Sequence, residues 1–553
     1  MKDWGRGAFI ACALAALTTL GFFAVPGHTY LQSDTQIYIP IFEKLENPKL
    51  YQRDILLTAA HVSLTLYDET AIALRRLTRA SFASVLQAEQ LAFRFLALWG
   101  VFLIATSLGF GDAAGLLLAA CFGLGADIVG PAVLSVEYEP VPRGFAISFL
   151  LLATGLLMHG RYTWACVAAS FGVIYHFPST VPFWTIFLVI VFRERRWKAM
   201  WPLGPALALV ALMFLLQQGQ MRPQPLFTVI DPEWEQIIRM RTAYDWILQW
   251  RSGSVLVFIV CAAVSLAALW RIREHTTITQ RLVLAGFPLI GLVSLAVSYV
   301  LLDLCKWALM AQVQPARAVL FCVVFAQINC ALAGFAAART NCWTEALLWF
   351  VPVFLLTVIP ANLATPERLA TVALLTLLAA ATSAKARWLA APAVAIAGCW
   401  AIPNIAHTIN YGPPPSPELH QLSEWARSNT GLQSLFVFPA GVPNPAQGVF
   451  RAESLRSLYV DWKSGGQVNY FRDFALEWHK RWLELNSGNL TAADWQARGV
   501  DYLIYGGPAS AQEDPLAPPS FKNANYRAYR LAHRAARLAG GQASAGRRGA
   551  PLE

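Results

Sequence analysis

Charge is scarce in this chain. Asp, Glu, Lys and Arg make up 14% of the 553 residues, against about 25% in a soluble globular domain, while apolar residues reach 56%. That balance excludes an ordinary soluble protein and describes one that crosses a bilayer repeatedly. Cysteine is missing where a disulfide scaffold would need it. The nine cysteines, at 12, 121, 166, 261, 305, 322, 330, 342 and 399, all fall in apolar segments or at their ends. The connecting stretches therefore fold without disulfides, and no Cys-x-x-Cys spacing offers a metal site. No small-x-small cleavage site precedes Gly27, so the first apolar segment reads as an uncleaved span and not as a signal peptide. A repeat of fixed short period is also absent.

A span needs roughly 20 mostly apolar residues. Such segments lie near 7–26, 86–108, 113–135, 144–159, 163–176, 179–192, 200–217, 254–270, 282–302, 317–337, 345–360, 368–382 and 387–403. Those at 163–176 and 179–192 are short, and the break Tyr175-His176-Phe177-Pro178 reads as a turn between spans or as a re-entrant bend. Basic clusters set the orientation: Lys2 and Arg6, then Arg193, Arg195, Arg196 and Lys198, then Arg271, Arg273 and Arg281, then Lys385 and Arg387. With thirteen alternating spans all four fall on one side. The expected placement is a multi-pass protein of the inner (plasma) membrane with a cytoplasmic N-terminus. Residues 27–85, 218–253 and everything after 404 are then periplasmic or extracellular. The net charge of +10 is accounted for largely by these clusters, beside anionic membrane lipids, so no nucleic-acid partner is implied.

The expected fold class is an all-α polytopic bundle of about thirteen transmembrane helices with a small C-terminal extracytoplasmic α/β domain. The transmembrane domain covers 1–403, the α/β domain 404–533 and a disordered tail 534–553. In the first outer loop, 27–85, Pro40 suits the first turn of a helix bearing Ile41, Phe42 and Leu45 on one face. A second surface helix runs from Asp68, as N-cap, to Arg79, with Ile72 and Leu77 towards apolar surface and Arg75, Arg76 and Arg79 towards phosphates or water. Trp234, Trp246 and Trp250 read as interfacial anchors. After the Pro413-Pro414-Pro415 linker come strands at 435–438, 457–461, 502–505 and 526–531, with helices near 416–428 and 470–486 and one capped by Thr491.

Two acidic clusters border spans on the same outer side: Asp34 after the first, and Glu137-Tyr138-Glu139 at the end of the third. Carboxylates at a bilayer boundary are costly and usually serve a partner, a metal or a reaction. The i, i+2 spacing in an extended turn sends Glu137 and Glu139 the same way, suited to a shared cation or an acceptor hydroxyl. The plain alternatives are a helix cap for Asp34 and an ion pair with Arg143 for one Glu. Lys306 and Arg317 are anion donors at an outer mouth, with snorkelling as the alternative for Lys306. His176 stands beside Pro178 as a substrate-side or merely structural group, and Asp461 with Lys463 reads as a structural pair.

With Asp34 and surface helices in the first outer loop, Glu137-Tyr138-Glu139 after the third span, and an outer C-terminal domain, the chain resembles the GT-C fold. These polytopic glycosyltransferases use polyprenyl-phosphate sugars and include protein O-mannosyltransferases and the lipid A aminoarabinose transferase. The likeness is best over 1–217. Ser33–Pro40, Glu137–Arg143 and Tyr459–Lys463 are also similar to bacterial membrane proteins placed near this fold. Thr35 stands where the protein mannosyltransferases carry Glu, and no Trp-Trp-Asp motif exists, which argues against an oligosaccharyltransferase. The resemblance implies transfer of a sugar from a polyprenyl-phosphate donor to a glycan, lipid or protein acceptor, with inversion. Asp34 would be the base, Glu137 and Glu139 would orient the acceptor or a divalent cation, and Arg143 and Arg317 would lie near phosphate. No cofactor is otherwise called for. A lipid or sugar flippase is the rival, against which stand the nearly charge-free span centres, Glu89 and Arg94 excepted; an inactive scaffold of the same fold is the third reading.

Overall fold

The computed structural model describes residues 2–58, 65–216, 224–357, 390–394, 396–398, 400, 414–439, 446–507 and 518–531. The chain opens with α1 (Lys2–Phe23), followed by a long connection carrying α2 (Thr35–Glu46) and α3 (Tyr67–Thr78). Next come α4 (Phe82–Ser107), α5 (Asp112–Gly123), the antiparallel pair β1 (Asp127–Ile128) and β2 (Val133–Leu134), α6 (Pro142–Met158) and α7 (Tyr162–Glu194). The helical part continues through α8 (Leu203–Leu216), α9 (Pro232–Arg241), α10 (Ser254–Arg271), α11 (Ile278–Ser298), α12 (Ala308–Val313), α13 (Leu320–Arg339) and α14 (Trp343–Leu355).

Among the described residues seven helices are long and apolar enough to cross a membrane: Gly5–Phe23, Phe82–Ser107, Tyr162–Glu194, Trp197–Leu216, Ser254–Arg271, Ile278–Leu304 and Ala308–Arg339. Asp112–Gly123, Pro142–Met158 and Trp343–Leu355 are shorter apolar helices. The segment expected to span 113–135 stops at Gly123, because Gly125 turns with φ +73° and the chain then forms the β1–β2 pair. The expected span 368–382, most of 387–403, the 403/404 boundary and the tail 534–553 lie outside the described residues.

A straight helix of 33 residues would be about 50 Å long, yet the two ends of α7 touch. The Tyr162 hydroxyl donates to the Glu194 carboxylate, and Arg196 lies 5.3 Å over the Tyr162 ring. The fold-back is at His176, whose φ −162° and ψ 86° are not helical. Pro178 and Pro182 explain the break, since neither has an N–H to give the preceding turn. The Ile174 carbonyl that Pro178 leaves free accepts the Leu66 N–H at 2.8 Å instead. The segments 163–176 and 179–192 are thus the two limbs of a helical hairpin.

Glycine fixes the neighbouring pair. A Cβ on Gly100 of α4 would lie 2.3 Å from the Leu151 carbonyl of α6, and one on Gly155 would lie 2.4 Å from the Gly100 oxygen. The α4 and α6 backbones touch there, as small residues allow in membrane helices. One end of the bundle gathers Arg6 on Asp112, Arg271 on Glu345, and Gln280 reaching the carbonyls of Ser107 and Met158. The acidic clusters lie at the opposite end.

The C-terminal part alternates α15 (Pro417–Asn429), β3 (Leu435–Val437), α16 (Ala446–Ser454), β4 (Ser457–Leu458), α17 (Arg472–Asn486), α18 (Ala492–Ala497), β5 (Tyr502–Gly506), β6 (Phe521–Lys522) and β7 (Tyr526–Arg530). The strands form one sheet in the order β4-β3-β5-β7-β6, with β3 parallel to both neighbours and β7 antiparallel to both of its own. This sheet shares its core with the bundle. Phe436 and Phe450 join Phe42, Tyr67 and Phe145 in one cluster, and Val437 and Trp478 join Trp234 and Met310 in another.

Three expectations are corrected here. Trp234 and Trp246 are fully buried in the second cluster, with Trp234 Nε1 donating to the Val468 carbonyl at 2.8 Å, so neither is a lipid anchor. Asp68 lies in the first turn of α3 and does not cap it; the cap position is Leu66. On that helix Arg75 pairs with Glu43 and Glu46 of α2 at 2.9 and 3.2 Å. Pro40 lies inside α2, which starts at Thr35. The Gln36 carbonyl that it leaves without a helical donor is reached by Arg451 Nη2 at 3.5 Å.

Candidate active site

Four elements build the site. Asp34 precedes the first turn of α2, and the turn before it is organised by Glu139, which is 2% exposed. Glu139 accepts the backbone N–H groups of Gln32 and Ser33 at 2.6 Å each and of Thr35 at 3.1 Å. Burial pushes the Glu139 carboxyl above the usual range, opposed by these amide bonds. Both of its oxygens are committed to shaping the backbone that presents Asp34, so it is a positioning group. Tyr138 adds its carbonyl to the same joint, accepting Thr29 N–H at 2.8 Å.

Glu137 points elsewhere. Its carboxylate accepts Arg143 Nε at 2.7 Å and Nη2 at 3.4 Å, so the ion pair with Arg143 exists. Gly144 makes room, because a Cβ there would lie 3.1 Å from Glu137 Cβ. Pro142 at the start of α6 supplies the preset φ that brings Arg143 out on the first turn. From there Arg143 Nη1 reaches Asp34 Oδ2 at 3.1 Å. The loop carrying Glu137 is tied down by Arg94, which donates to the carbonyls of Glu137 at 2.5 Å and Gly27 at 2.8 Å. Arg94 is thereby a backbone clamp joining α4 to both acidic segments.

The fourth element is the 3₁₀ turn Lys463–Gln467. Lys463 Nζ lies 3.0 Å from Asp34 Oδ1 and 3.2 Å from Ser33 Oγ. The Asp461–Lys463 pair read from sequence is therefore corrected. Asp461 binds Arg451 at 2.6 and 3.2 Å, both side chains being fully buried, with Asp54 3.9 Å from the same guanidinium. A step of two positions, across Trp462, puts the Asp461 side chain inward and the Lys463 side chain towards Asp34. Burial raises the Asp34 carboxyl, but Lys463 and Arg143 outweigh it and hold it well below the ordinary carboxylate range. Its side chain keeps 25% of its surface exposed.

The remaining expected residues separate. Lys306 forms an ion pair with Glu235, which Arg239 also holds at 2.7 Å, and does not join the Asp34 network. His176 caps the second limb of α7, with Nδ1 accepting the Ser179 N–H at 3.3 Å, which leaves Nε2 as the ring's donor. Arg317 lies 5.4 Å over the Tyr244 ring; its Nε is buried without a partner, and no carboxylate lies within ion-pair distance of it among the described residues. Its charge reaches Tyr38 and Tyr470, and that of Asp34 reaches Tyr38 and Tyr244. Burial pushes these three phenols up, so they are neutral hydroxyls at neutral pH. An open cleft of about 940 Å³ borders the network and is lined by Ser33, Leu134, Glu137, Tyr138 and Arg143 among others. Among the described residues no group of three or more His, Cys, Asp or Glu converges as a metal site.

No family model matches the chain, and no curated protein matches it. Among solved structures it is similar to an oligosaccharyltransferase of Archaeoglobus fulgidus (10% identity, TM-score 0.40), over 91% of this chain and 70% of that one. It is similar also to the mycobacterial arabinofuranosyltransferase AftD (13% identity, TM-score 0.48), over 95% of this chain but 40% of that one. A third is ArnT from Cupriavidus metallidurans in the apo state (11% identity, TM-score 0.48), over 96% and 98% of the two chains. Identity this low leaves the chemistry to be read from the residues.

Proposed function

We propose that the protein is a membrane glycosyltransferase that moves a sugar from a polyprenyl-phosphate donor to an acceptor hydroxyl, with inversion at the sugar carbon. The observation that carries this reading is Asp34: a part-exposed carboxylate set between Arg143 and Lys463 at 3.1 and 3.0 Å, next to Ser33 and Arg143, which line the cleft. A lipid phosphate leaves as a stable anion, so the reaction needs one base and cations, not the two carboxyls of glycoside hydrolysis. Asp34 takes the acceptor proton as the hydroxyl oxygen attacks the sugar carbon and the C–O bond to phosphate breaks. Arg143, fixed by Glu137, aims Asp34. Arg317, which has no carboxylate within ion-pair distance among the described residues and whose charge also acts on Asp245, stabilises the departing phosphate. Glu139 holds the Asp34 turn and does not touch substrate.

The test uses purified full-length protein with radiolabelled polyprenyl-phosphate sugars and a membrane extract as acceptor. Asp34→Asn is expected to lower transfer by about 100-fold or more with the fold retained, the scale of a lost general base. Full transfer by that variant removes Asp34 as base. Substrate crossing proteoliposomes without donor consumption replaces the enzyme reading by transport.

A further inference from the structure

The two cations on Asp34 differ in how they are held. Arg143 is fastened on its far side, with Nε and Nη2 on Glu137 at 2.7 and 3.4 Å, and it is rooted in the first turn of α6. Lys463 has one carboxylate partner, Asp34, and one hydroxyl partner, Ser33. It rides on a short 3₁₀ turn and carries its charge on a flexible stem that turns freely about the ammonium. Its root is firm, because the Arg451–Asp461 pair is buried two residues upstream and Asp461 also accepts the Ser464 N–H at 3.0 Å. An anchored base with a mobile tip suits a cation that exchanges one anion for another.

We propose that Lys463 is a phosphate ligand supplied by the C-terminal part. In the structure it pairs with Asp34. When a phosphate ester binds beside Ser33 and Arg143, which line the cleft, the ammonium transfers to the phosphate oxygens, and Asp34 Oδ1 is released towards the acceptor. Only this last clause rests on the reading of Asp34 as base. The exchange makes no bond and moves no proton. Arg143 stays on Asp34 Oδ2 throughout, and Ser33 Oγ follows either partner.

In this arrangement Asp34 and the ligand phosphate compete for one ammonium, which gives substitutions at the two positions opposite signs. Isothermal titration calorimetry of the purified full-length protein in detergent measures binding of geranylgeranyl phosphate, with inorganic phosphate as a separate arm. Asp34→Asn is expected to tighten binding of the lipid phosphate about tenfold, the scale of one charge-assisted contact. Lys463→Met weakens it about tenfold, Lys463→Arg retains most of it, and Asp34→Asn adds nothing in the Lys463→Met background. The same pattern with inorganic phosphate, at weaker affinity, places recognition in the head group. The pattern with the lipid ester alone adds a requirement for the chain. A partner that merely holds the fold gives no tightening in Asp34→Asn, and that result overturns the proposal. So does equal tightening in both backgrounds, which makes the effect one of general charge, and so does absence of binding for both probes. Thermal unfolding of each variant checks the fold. Loss of transfer chemistry with the binding pattern intact removes the glycosyltransferase reading and leaves the phosphate ligand standing.

Discussion

Replacing Asp461 by Ala strikes the joint between the C-terminal part and α2. In the native protein Arg451 Nη1 and Nη2 donate to Asp461 at 2.6 and 3.2 Å, and neither side chain has exposed surface. After the substitution the guanidinium keeps the Gln36 carbonyl at 3.5 Å and the Asp54 carboxylate at 3.9 Å. Breaking a buried ion pair by removing one partner costs about 3–5 kcal/mol, because the other charge stays desolvated. Asp54 compensates in part, although its own oxygens already accept the N–H groups of Leu56 and Leu458 at 3.0 and 2.8 Å. The expected loss is therefore at the lower end, about 3 kcal/mol. Urea unfolding of the detergent-solubilised protein, followed by tryptophan fluorescence, measures it. Trp478 is a local reporter, since its Nε1 donates to the Asp461 carbonyl at 3.1 Å. Adding Arg451→Met removes the stranded charge, so the double variant should recover part of the loss. A single-variant effect below about 0.5 kcal/mol, the scale of an ordinary surface substitution, would refute the reasoning; so would strict additivity of the two.

Two further outcomes follow from packing and burial. Gly155→Val should destabilise the bundle by about 1–3 kcal/mol by overpacking, since its first side-chain atom already meets the Gly100 carbonyl at 2.4 Å, and thermal unfolding reads this directly. Burial pushes the Asp245 carboxyl up to about 6, with one oxygen lacking a partner, so the folded protein holds a proton that the unfolded chain has released. Stability from this group is then greatest below its ordinary value near 3.8 and falls as pH rises through about 6; Asp245→Asn should remove that slope and stabilise the protein at neutral pH by at most about 3 kcal/mol, as denaturation at pH 4.5 and pH 7.5 shows.

The parts of the site that a sequence displays are those with local causes. Asp34 and Glu137 border apolar segments, and alternation alone puts them at one end. The α7 break announces itself in two prolines, and the strands of the C-terminal sheet in short β-branched and aromatic runs. What stayed hidden depends on distant partners. Lys463 reaches a carboxylate 429 positions away, and beside Asp461 its nearest charged neighbour was the obvious but wrong partner. Glu139 looked equivalent to Glu137 because spacing says nothing about which backbone amides stand opposite. Trp234 and Trp246 carry the composition of a lipid-facing belt, yet the cluster that buries them is built from Leu302, Ala308 and Met310 together with residues beyond 430. Pro40 marks a helix start in isolation; its interior place is tolerated with an arginine from α16 at the freed carbonyl.

The charges around Asp34 also say which kind of ligand the cleft favours. Asp34 and Glu137 are matched by Arg143 and Lys463, a closed set of two anions and two cations joined by contacts of 2.7 to 3.1 Å. Glu139 is compensated by backbone dipoles and draws on none of these cations. Arg317 stands outside the set, with a buried Nε that has no partner among the described residues and a charge that acts on Asp245. A neutral acceptor entering alone would leave that cost in place and would have to displace a cation from Asp34 without offering it a new anion. A phosphate ester offers Lys463 that new anion. Under the proposed reaction the order this favours is donor first, acceptor second, because Asp34 would regain its basicity only after Lys463 has another anion to pair with.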